Sequence, residues 1–510
     1  MAERDGVRLL ALPPSVALER PIPALEDARG YFDPDGIVIP GPRREPRAVA
    51  RARRVFAGPV VHPPLADAGP VTRDELDGFP IVTVQRGTIL EEAVDALESA
   101  LSIVDHVVLV CDDVTTTVRP TALETHLEYA AELAAAVPAD GSGVTVLTGG
   151  LPADYDETWH LERTGEPLGV GRDPIAEADL DTDDVVSVRI HGTGPVESHG
   201  DARSISGFSL SRDGAVAVET LDADAFGIEA VTGVGPKTAD RLENQGITTR
   251  ARLLETDLET LRSLPGIGRD RAERMLAHAE VLETGEPRRL TDEPLPGENW
   301  ERPPLCLDIE TDGLSPTIVW QVGVYDPLED SHRAFLEDSN PDDPRSVLQA
   351  FLDWLLGVYP DRALLTWNGW RFDYRHLGAF INRYLPGYAE EWERIPKLDC
   401  YLWAVRETNA LLPGRTNRLA DVAAALGYEH AGTGLDGAAT AAAYERFRWT
   451  GAELEWDRHE AYCEDDCRAL WHVYERLRDA PRLSAASSGS TGSTSERAGG
   501  KTGQTGLSDF

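Results

Sequence analysis

Short apolar runs recur through the first 221 residues, at Ile81–Val84, Val107–Val110, Val144–Leu147 and Val185–Ile190. Bounded by polar and turn-forming residues, such runs predict strands. Between some of them the apolar positions take a helical spacing, as over Leu90–Leu101 and Leu123–Ala136. Strands alternating with helices predict an α/β domain with a largely parallel sheet over residues 1–221. Phe208–Leu210 and Ala215–Glu219 flank Arg212-Asp213-Gly214, which predicts a closing hairpin. From 225 to 282 the pattern is helical throughout, so a small all-α domain is expected there. The Pro-, Glu- and Gly-rich stretch 283–303 reads as a linker. Strand patterns return at Leu305–Ile309, Ile318–Val324 and Ala334–Leu336. A helical pattern at Ser346–Val358, a strand at Ala363–Trp367 and further helices complete a second α/β domain over 304–480. Residues 484–510 are Ser, Gly and Thr in low-complexity order and are expected to be disordered. The fold class is therefore α/β multidomain, with an all-α insert between two α/β domains.

Composition changes the choice of partner. The net charge is -39, which disfavours generic polyanion binding. Yet of 49 Lys+Arg, only Lys237, Lys397 and Lys501 are lysine. High Asp/Glu with almost no Lys resembles the proteomes of salt-loving archaea, so the acidity is read as habitat. The cysteines (Cys111, Cys306, Cys400, Cys463, Cys467) form no CxxC pair, so neither a zinc ribbon nor a disulfide framework is indicated, and Cys463 and Cys467, on one helix face at i, i+4, read as buried thiols. No apolar run approaches 18 residues and Met1–Asp5 lacks a signal-peptide pattern. A cytoplasmic protein with no membrane partner is expected.

The helical region repeats itself. Thr232-Gly233-Val234-Gly235-Pro236-Lys237-Thr238-Ala239 recurs as Pro265-Gly266-Ile267-Gly268-Arg269-Asp270-Arg271-Ala272. Glycine permits a tight positive-φ turn and close backbone approach. The helix that follows offers free N–H groups and a dipole that favours an anion. This resembles a tandem helix-hairpin-helix unit, a family that grips nucleic-acid phosphates without reading sequence. Gly233, Gly235, Lys237, Thr238, Gly266, Gly268, Arg269 and Arg271 become candidate substrate contacts. The second copy departs from the first by placing Asp270 where the first has Lys237.

The chemistry is expected in the last domain. Asp308 and Glu310 stand two apart in Leu305-Cys-Leu-Asp-Ile-Glu310, and residues i and i+2 share one face of a strand. Two carboxylates on one face repel, and a divalent cation resolves the conflict. Downstream come Asn368-Gly369-Trp370-Arg371-Phe372-Asp373 and a helical Tyr462-x3-Asp466, whose ends share a face at i, i+4. These three segments, in this order, resemble the DEDD superfamily of 3′–5′ exonucleases on a ribonuclease H-like fold. Tyrosine at 462, with Ala461 where the alternative histidine would fall, matches the tyrosine subclass. The closest likeness is to the YprB-type domain. That resemblance implies two-metal phosphodiester hydrolysis with two Mg²⁺ or Mn²⁺ ions held by Asp308, Glu310, Asp373 and Asp466. Tyr462 would orient the attacking water, and Asn368 would shape the loop or touch substrate. Asp312 is assigned to a turn, Asp399 and Asp421 to structural roles. Asp465 is excluded because it points about 100° away from Asp466 on a helix.

The leading expectation is thus a metal-dependent nuclease acting on nucleic acid, with DNA favoured over RNA. The alternative is a non-catalytic nucleic-acid-binding or adaptor protein on the same fold. A third reading puts unrelated chemistry in the N-terminal domain, where Cys111-Asp112-Asp113 closes a strand; ordinary capping explains that segment equally well.

Overall fold

The structure is a computed structural model that describes residues 6–483 apart from 42–44, 62–68, 77, 105, 120–123, 138–142, 152–154, 171–184, 194–203, 212–215, 314, 339, 341–342 and 451–453. The tail from 484, expected to be disordered, and the hairpin turn at 212–215 lie outside the described residues.

The four expected N-terminal strands lie side by side in one seven-stranded sheet. Its order is Pro167–Val170, Asp156–Glu162, Val185–Gly192, Val144–Thr148, Val107–Val110, Phe79–Val84 and Val71–Leu76. The four central strands are parallel and the outer ones antiparallel. A second, five-stranded sheet was not anticipated. It runs Val216–Asp222, Ser204–Ser211, Gly6–Ala11, Gly36–Val38 and Val60–Val61. Val7, Leu9 and Val38 of this sheet share a core with Phe79, Ile81 and Val108 of the other, so the two sheets pack face to face. Helices Ile22–Phe32 and Pro46–Val55 cover one outer face, and Val94–Leu101 and Ala130–Ala136 cover the other. The result is four layers, helix–sheet–sheet–helix. Burial on both sides explains why the central strands are unbroken apolar runs. The helix expected over Leu123–Ala136 is shorter. Glu124–Leu127 instead pairs with Thr116–Arg119 as a hairpin, and only Ala130–Ala136 is helical.

Four helices, Pro236–Glu243, Arg250–Leu254, Leu258–Ser263 and Arg269–Thr284, form the middle unit around Val234, Leu242, Leu253, Leu261 and Met275. Asp257 caps Leu258–Ser263 by accepting from the Thr260 N–H at 2.9 Å, and Gly285 ends the last helix at φ 71. The following stretch, expected as a linker, is packed. Arg288–Arg289 pairs with Ala410–Leu411 of the C-terminal domain, and Leu295 is buried in that domain's core. Arg289 donates to Glu298 at 2.7 Å and stacks over Trp403.

One carboxylate ties the three units together. Asp27, on Ile22–Phe32, accepts two hydrogen bonds from Arg250 at 2.7 and 2.8 Å and two from Arg415 at 2.7 and 2.9 Å. It also accepts from the Gly227 N–H at 2.8 Å. Burial alone would raise the Asp27 pKa, but the two guanidiniums hold it well below the usual carboxylate range.

The C-terminal sheet has the order Ser331–Leu336, Val319–Asp326, Leu305–Thr311, Leu364–Thr366, Lys397–Asp399. The first three strands are antiparallel, and the last two run parallel to Leu305–Thr311. Odd residues of that strand (Leu305, Leu307, Ile309) pack on helices Ser346–Val358 and Asp373–Tyr384. Cys306, on the opposite face, packs against Cys467 and Leu470 of the 24-residue helix Trp456–Asp479.

Candidate metal centre

Pleating sends Asp308 and Glu310 to the face that meets helix Trp456–Asp479. Asp308 lies opposite Gly323 on the neighbouring strand. A Cβ at 323 would stand 2.4 Å from Cys463 Sγ, so only glycine lets the helix come this close. The adjacent parallel strand Leu364–Thr366 ends in a loop that starts the helix Asp373–Tyr384. Asn368 takes the left-handed conformation at φ 67, which asparagine tolerates better than most residues. Asp399 fixes the loop by accepting from the N–H groups of Asn368 at 3.0 Å and Trp370 at 3.2 Å. Asp373 is thereby held at the strand end, buried at the helix start.

Asp308 and Glu310 come together, and Asp466 and Asp373 lie near enough for their charge to act on both. Burial raises the Asp308 pKa well above the usual range, and the charges of Glu310, Asp466 and Asp373 add to it. Glu310 is raised by burial and by Asp466 and Asp373. Asp373 is pushed up to about 7, by burial first and by Asp399 among its neighbours. Burial pushes Asp466 up to about 6, partly offset by the hydroxyl of Tyr462. The Tyr462 phenol is itself driven far upward by burial and then by Asp466, Glu310 and Asp308. Glu310 and Asp373 are buried, whereas Asp308, Tyr462 and Asp466 keep part of their surface open. The donor set is all oxygen apart from one thiol, Cys463, whose Sγ is 3.4 Å from Asp308 Oδ2. Asp308, Glu310 and Cys463 offer donor atoms within 4.8 Å of one another. Mutually repelling buried carboxylates are a fit for hard divalent cations.

Residues 305–478 match the family model described as the RNase_H superfamily. The C-terminal domain is an RNase H superfamily domain. Residues 228–280 match a SAM-like helix-hairpin-helix tandem. The expected fold class, α/β multidomain with an all-α helix-hairpin-helix unit and a ribonuclease H-like C-terminal domain, therefore holds. No curated protein matches the chain significantly. A crystal structure from Streptococcus pneumoniae, of a conserved uncharacterized protein described as a predicted phosphoesterase, aligns with 43% of this chain and 92% of its own. The two share 13% identity, with a TM-score of 0.20.

Two other acids of the RNase H domain, Asp312 and Asp465, are otherwise engaged. Asp312 accepts from the Thr317 N–H at 2.7 Å in the turn after the strand. Asp465 accepts from Tyr428 Oη and the Ala431 N–H, both at 3.0 Å, and faces His430 Nδ1 at 2.7 Å. Sequence reasoning treated Cys463 as a buried thiol and missed its contact with Asp308; only its place one residue after Tyr462 hinted at it.

In the helix-hairpin-helix unit both turns share one geometry. Gly233 and Gly266 have φ of 88 and 77, and Gly235 and Gly268 precede the next helix as N-caps. Lys237 and Arg269 are exposed beside them, with Arg269 paired to Glu273 at 2.8 Å. Thr238 and Arg271 differ from expectation in what they touch. Thr238 is buried and accepts from Arg271 Nη2 at 2.8 Å. Arg271 also donates to the Gly233 carbonyl at 2.6 Å and the Gly266 carbonyl at 2.9 Å, bracing the two turns against each other. Behind the first turn, His278 Nδ1 accepts from the Thr232 N–H at 2.8 Å and Nε2 donates to the Leu412 carbonyl at 3.3 Å. Burial lowers its pKa to about 4, so this link to the RNase H domain is a neutral imidazole.

In the N-terminal domain Asp112 is satisfied internally. Its oxygens accept from the Gly149 and Gly41 N–H groups, each at 2.7 Å, and Asp113 accepts from the Gly87 N–H at 3.0 Å.

Proposed function

We propose that the chain is a metal-dependent nuclease that hydrolyses phosphodiester bonds in nucleic acid. The single observation carrying this reading is the close pairing of Asp308 and Glu310, with donor atoms within 4.8 Å, in an RNase H superfamily domain where Asp466 and Asp373 add their charge to both. Asp308, Glu310, Asp373 and Asp466 would hold two Mg²⁺ or Mn²⁺ ions. Such ions, when bound, supply Lewis acidity toward the scissile phosphate and its attacking water. Tyr462 keeps its proton at neutral pH and donates it to Asp466, which leaves its oxygen lone pairs to orient water. The exposed Gly-x-Gly turns, Lys237 and Arg269 hold backbone phosphates, contacts that position without specifying sequence. Arg271 and Thr238 keep those turns in register, and Asn368 shapes the approach to Asp373. Resemblance to the tyrosine-subclass exonucleases favours 3′–5′ removal of nucleotides, with DNA ahead of RNA, in the cytoplasm of a salt-adapted cell. Among the described residues no helix is long and apolar enough to cross a membrane.

The test is an assay of the purified full chain in concentrated salt with end-labelled DNA and RNA. Cleavage that requires Mg²⁺ or Mn²⁺ is expected. Absence of cleavage of every substrate with both ions would overturn the reading.

A further inference from the structure

The acidic cluster contains a sulfur that hydrolysis by hard cations does not use. Cys463 Sγ stands 3.4 Å from Asp308 Oδ2, and its donor atom falls within 4.8 Å of those of both Asp308 and Glu310. Thiolate is a poor ligand for Mg²⁺ and a strong one for ions of the Zn²⁺ class. Tetrahedral zinc with bonds near 2.3 Å to sulfur and 2.1 Å to oxygen sets those two ligands about 3.6 Å apart. The Cys463–Asp308 separation is an edge of that size.

A second element points to the same place. The space that a side chain at 323 would fill is bounded by Cys463 Sγ at 2.4 Å and by His332 Nε2 at 3.0 Å. The His332 side chain is only 4% exposed, and its imidazole meets the thiol of Cys467. Its Nδ1 faces Glu464 Oε2 at 3.8 Å. A buried imidazole set beside two thiols and a carboxylate is a donor that a thiophilic ion can recruit.

We propose that Cys463, Asp308 and Glu310 form a site for a thiophilic divalent cation of the Zn²⁺ class, with His332 as the adjacent fourth donor. This rests on the reading of Asp308 and Glu310 as cation ligands. Because both kinds of ion need the same carboxylates, they compete, and the thiophilic ion holds the centre in a form that does not cleave. Binding breaks the Cys463 S–H bond, forms a sulfur–metal bond and releases the proton to solvent, so no oxidant or reductant is needed.

The metal-free full chain is titrated with Co²⁺ and watched for sulfur-to-cobalt charge-transfer absorption, then back-titrated with Zn²⁺. The band is expected in the native chain and in Cys111→Ser, and absent in Cys463→Ser. Zn²⁺ affinity should fall on the order of tenfold or more in Cys463→Ser, and His332→Gln should weaken it less. Zn²⁺ inhibition of Mn²⁺-dependent cleavage should shift by the same factor. A native chain that binds Co²⁺ without the band overturns the proposal, and so does Cys463→Ser with undiminished Zn²⁺ affinity. The native titration decides even where a variant does not fold. A band in a chain that cleaves nothing sustains this site and removes the nuclease reading; cleavage without a band does the reverse.

Discussion

Asp112 and Asp308 invite comparison. Each sits on or just beyond a central strand of its own α/β domain, and burial raises the pKa of each, Asp112 to about 7. Their partners separate them. Asp112 spends both oxygens on backbone N–H groups, of Gly41 after a strand of the five-stranded sheet and Gly149 after a strand of the seven-stranded one. It staples the two sheets. Asp308 faces Glu310, Asp466 and Asp373, which oppose its charge, and accepts the weak S–H of Cys463 at 3.4 Å. A raised pKa therefore does not mark a site by itself; like charges held together without backbone donors to match them do.

The contrast is most easily broken by activity. Asp308→Asn should reduce Mn²⁺-dependent turnover on the order of a thousandfold or more, whereas Asp112→Asn should leave turnover per folded molecule unchanged. Equal losses in a single-turnover assay would erase the distinction. Stability should show the opposite order. Asp112→Ala orphans two buried N–H groups and should cost about 2–4 kcal/mol in urea denaturation. Asp308→Ala, measured without metal, should cost little or even stabilise, because it relieves repulsion.

A pH series sharpens the difference further. Asp466 at about 6 and Asp373 at about 7 have folded values above the ordinary carboxylate value of 3.8. Their contribution to stability is full at low pH and lost as pH rises through about 6 to 7. Cations should restore it, so the Mn²⁺-induced rise in Tm should be larger at pH 8 than at pH 5. Asp112 shares the sign but not the response to ions. A Tm increment that is flat with pH would contradict this. The smallest effect belongs to the helix-hairpin-helix unit. Lys237→Ala should weaken nucleic-acid binding a few-fold and make its salt dependence shallower by about one charge. Asp270→Lys should strengthen binding; unchanged salt slopes in both variants would remove Lys237 from the interface.

Much of the candidate site is legible in the sequence because its signals are local. Asp308-x-Glu310 needs only the two-residue period of a strand, and Tyr462-x3-Asp466 only the pitch of a helix. The same pitch set Asp465 aside, and it is bonded to Tyr428 and Ala431. The long central strands of the N-terminal domain were legible as unbroken apolar runs. The second sheet was not, since Gly36–Val38 and Val60–Val61 are too short to show any period. Cys463 and Arg271 escaped for another reason. Their roles arise from Gly323 and from the turns at Gly233 and Gly266, and side-chain pattern says nothing about such distant contacts.

The shared carboxylate of Asp27 has a mechanical implication. Arg250 comes from the unit that would grasp a strand and Arg415 from the unit that would cut it, yet neither grips the other directly through this carboxylate. The N-terminal domain acts as a jig that reinforces the direct links at His278 and Arg289, clamping both tools at a fixed offset. A backbone nick between residues 222 and 227 should leave the pieces travelling together, and releasing Asp27 should loosen the tools while each keeps its own shape.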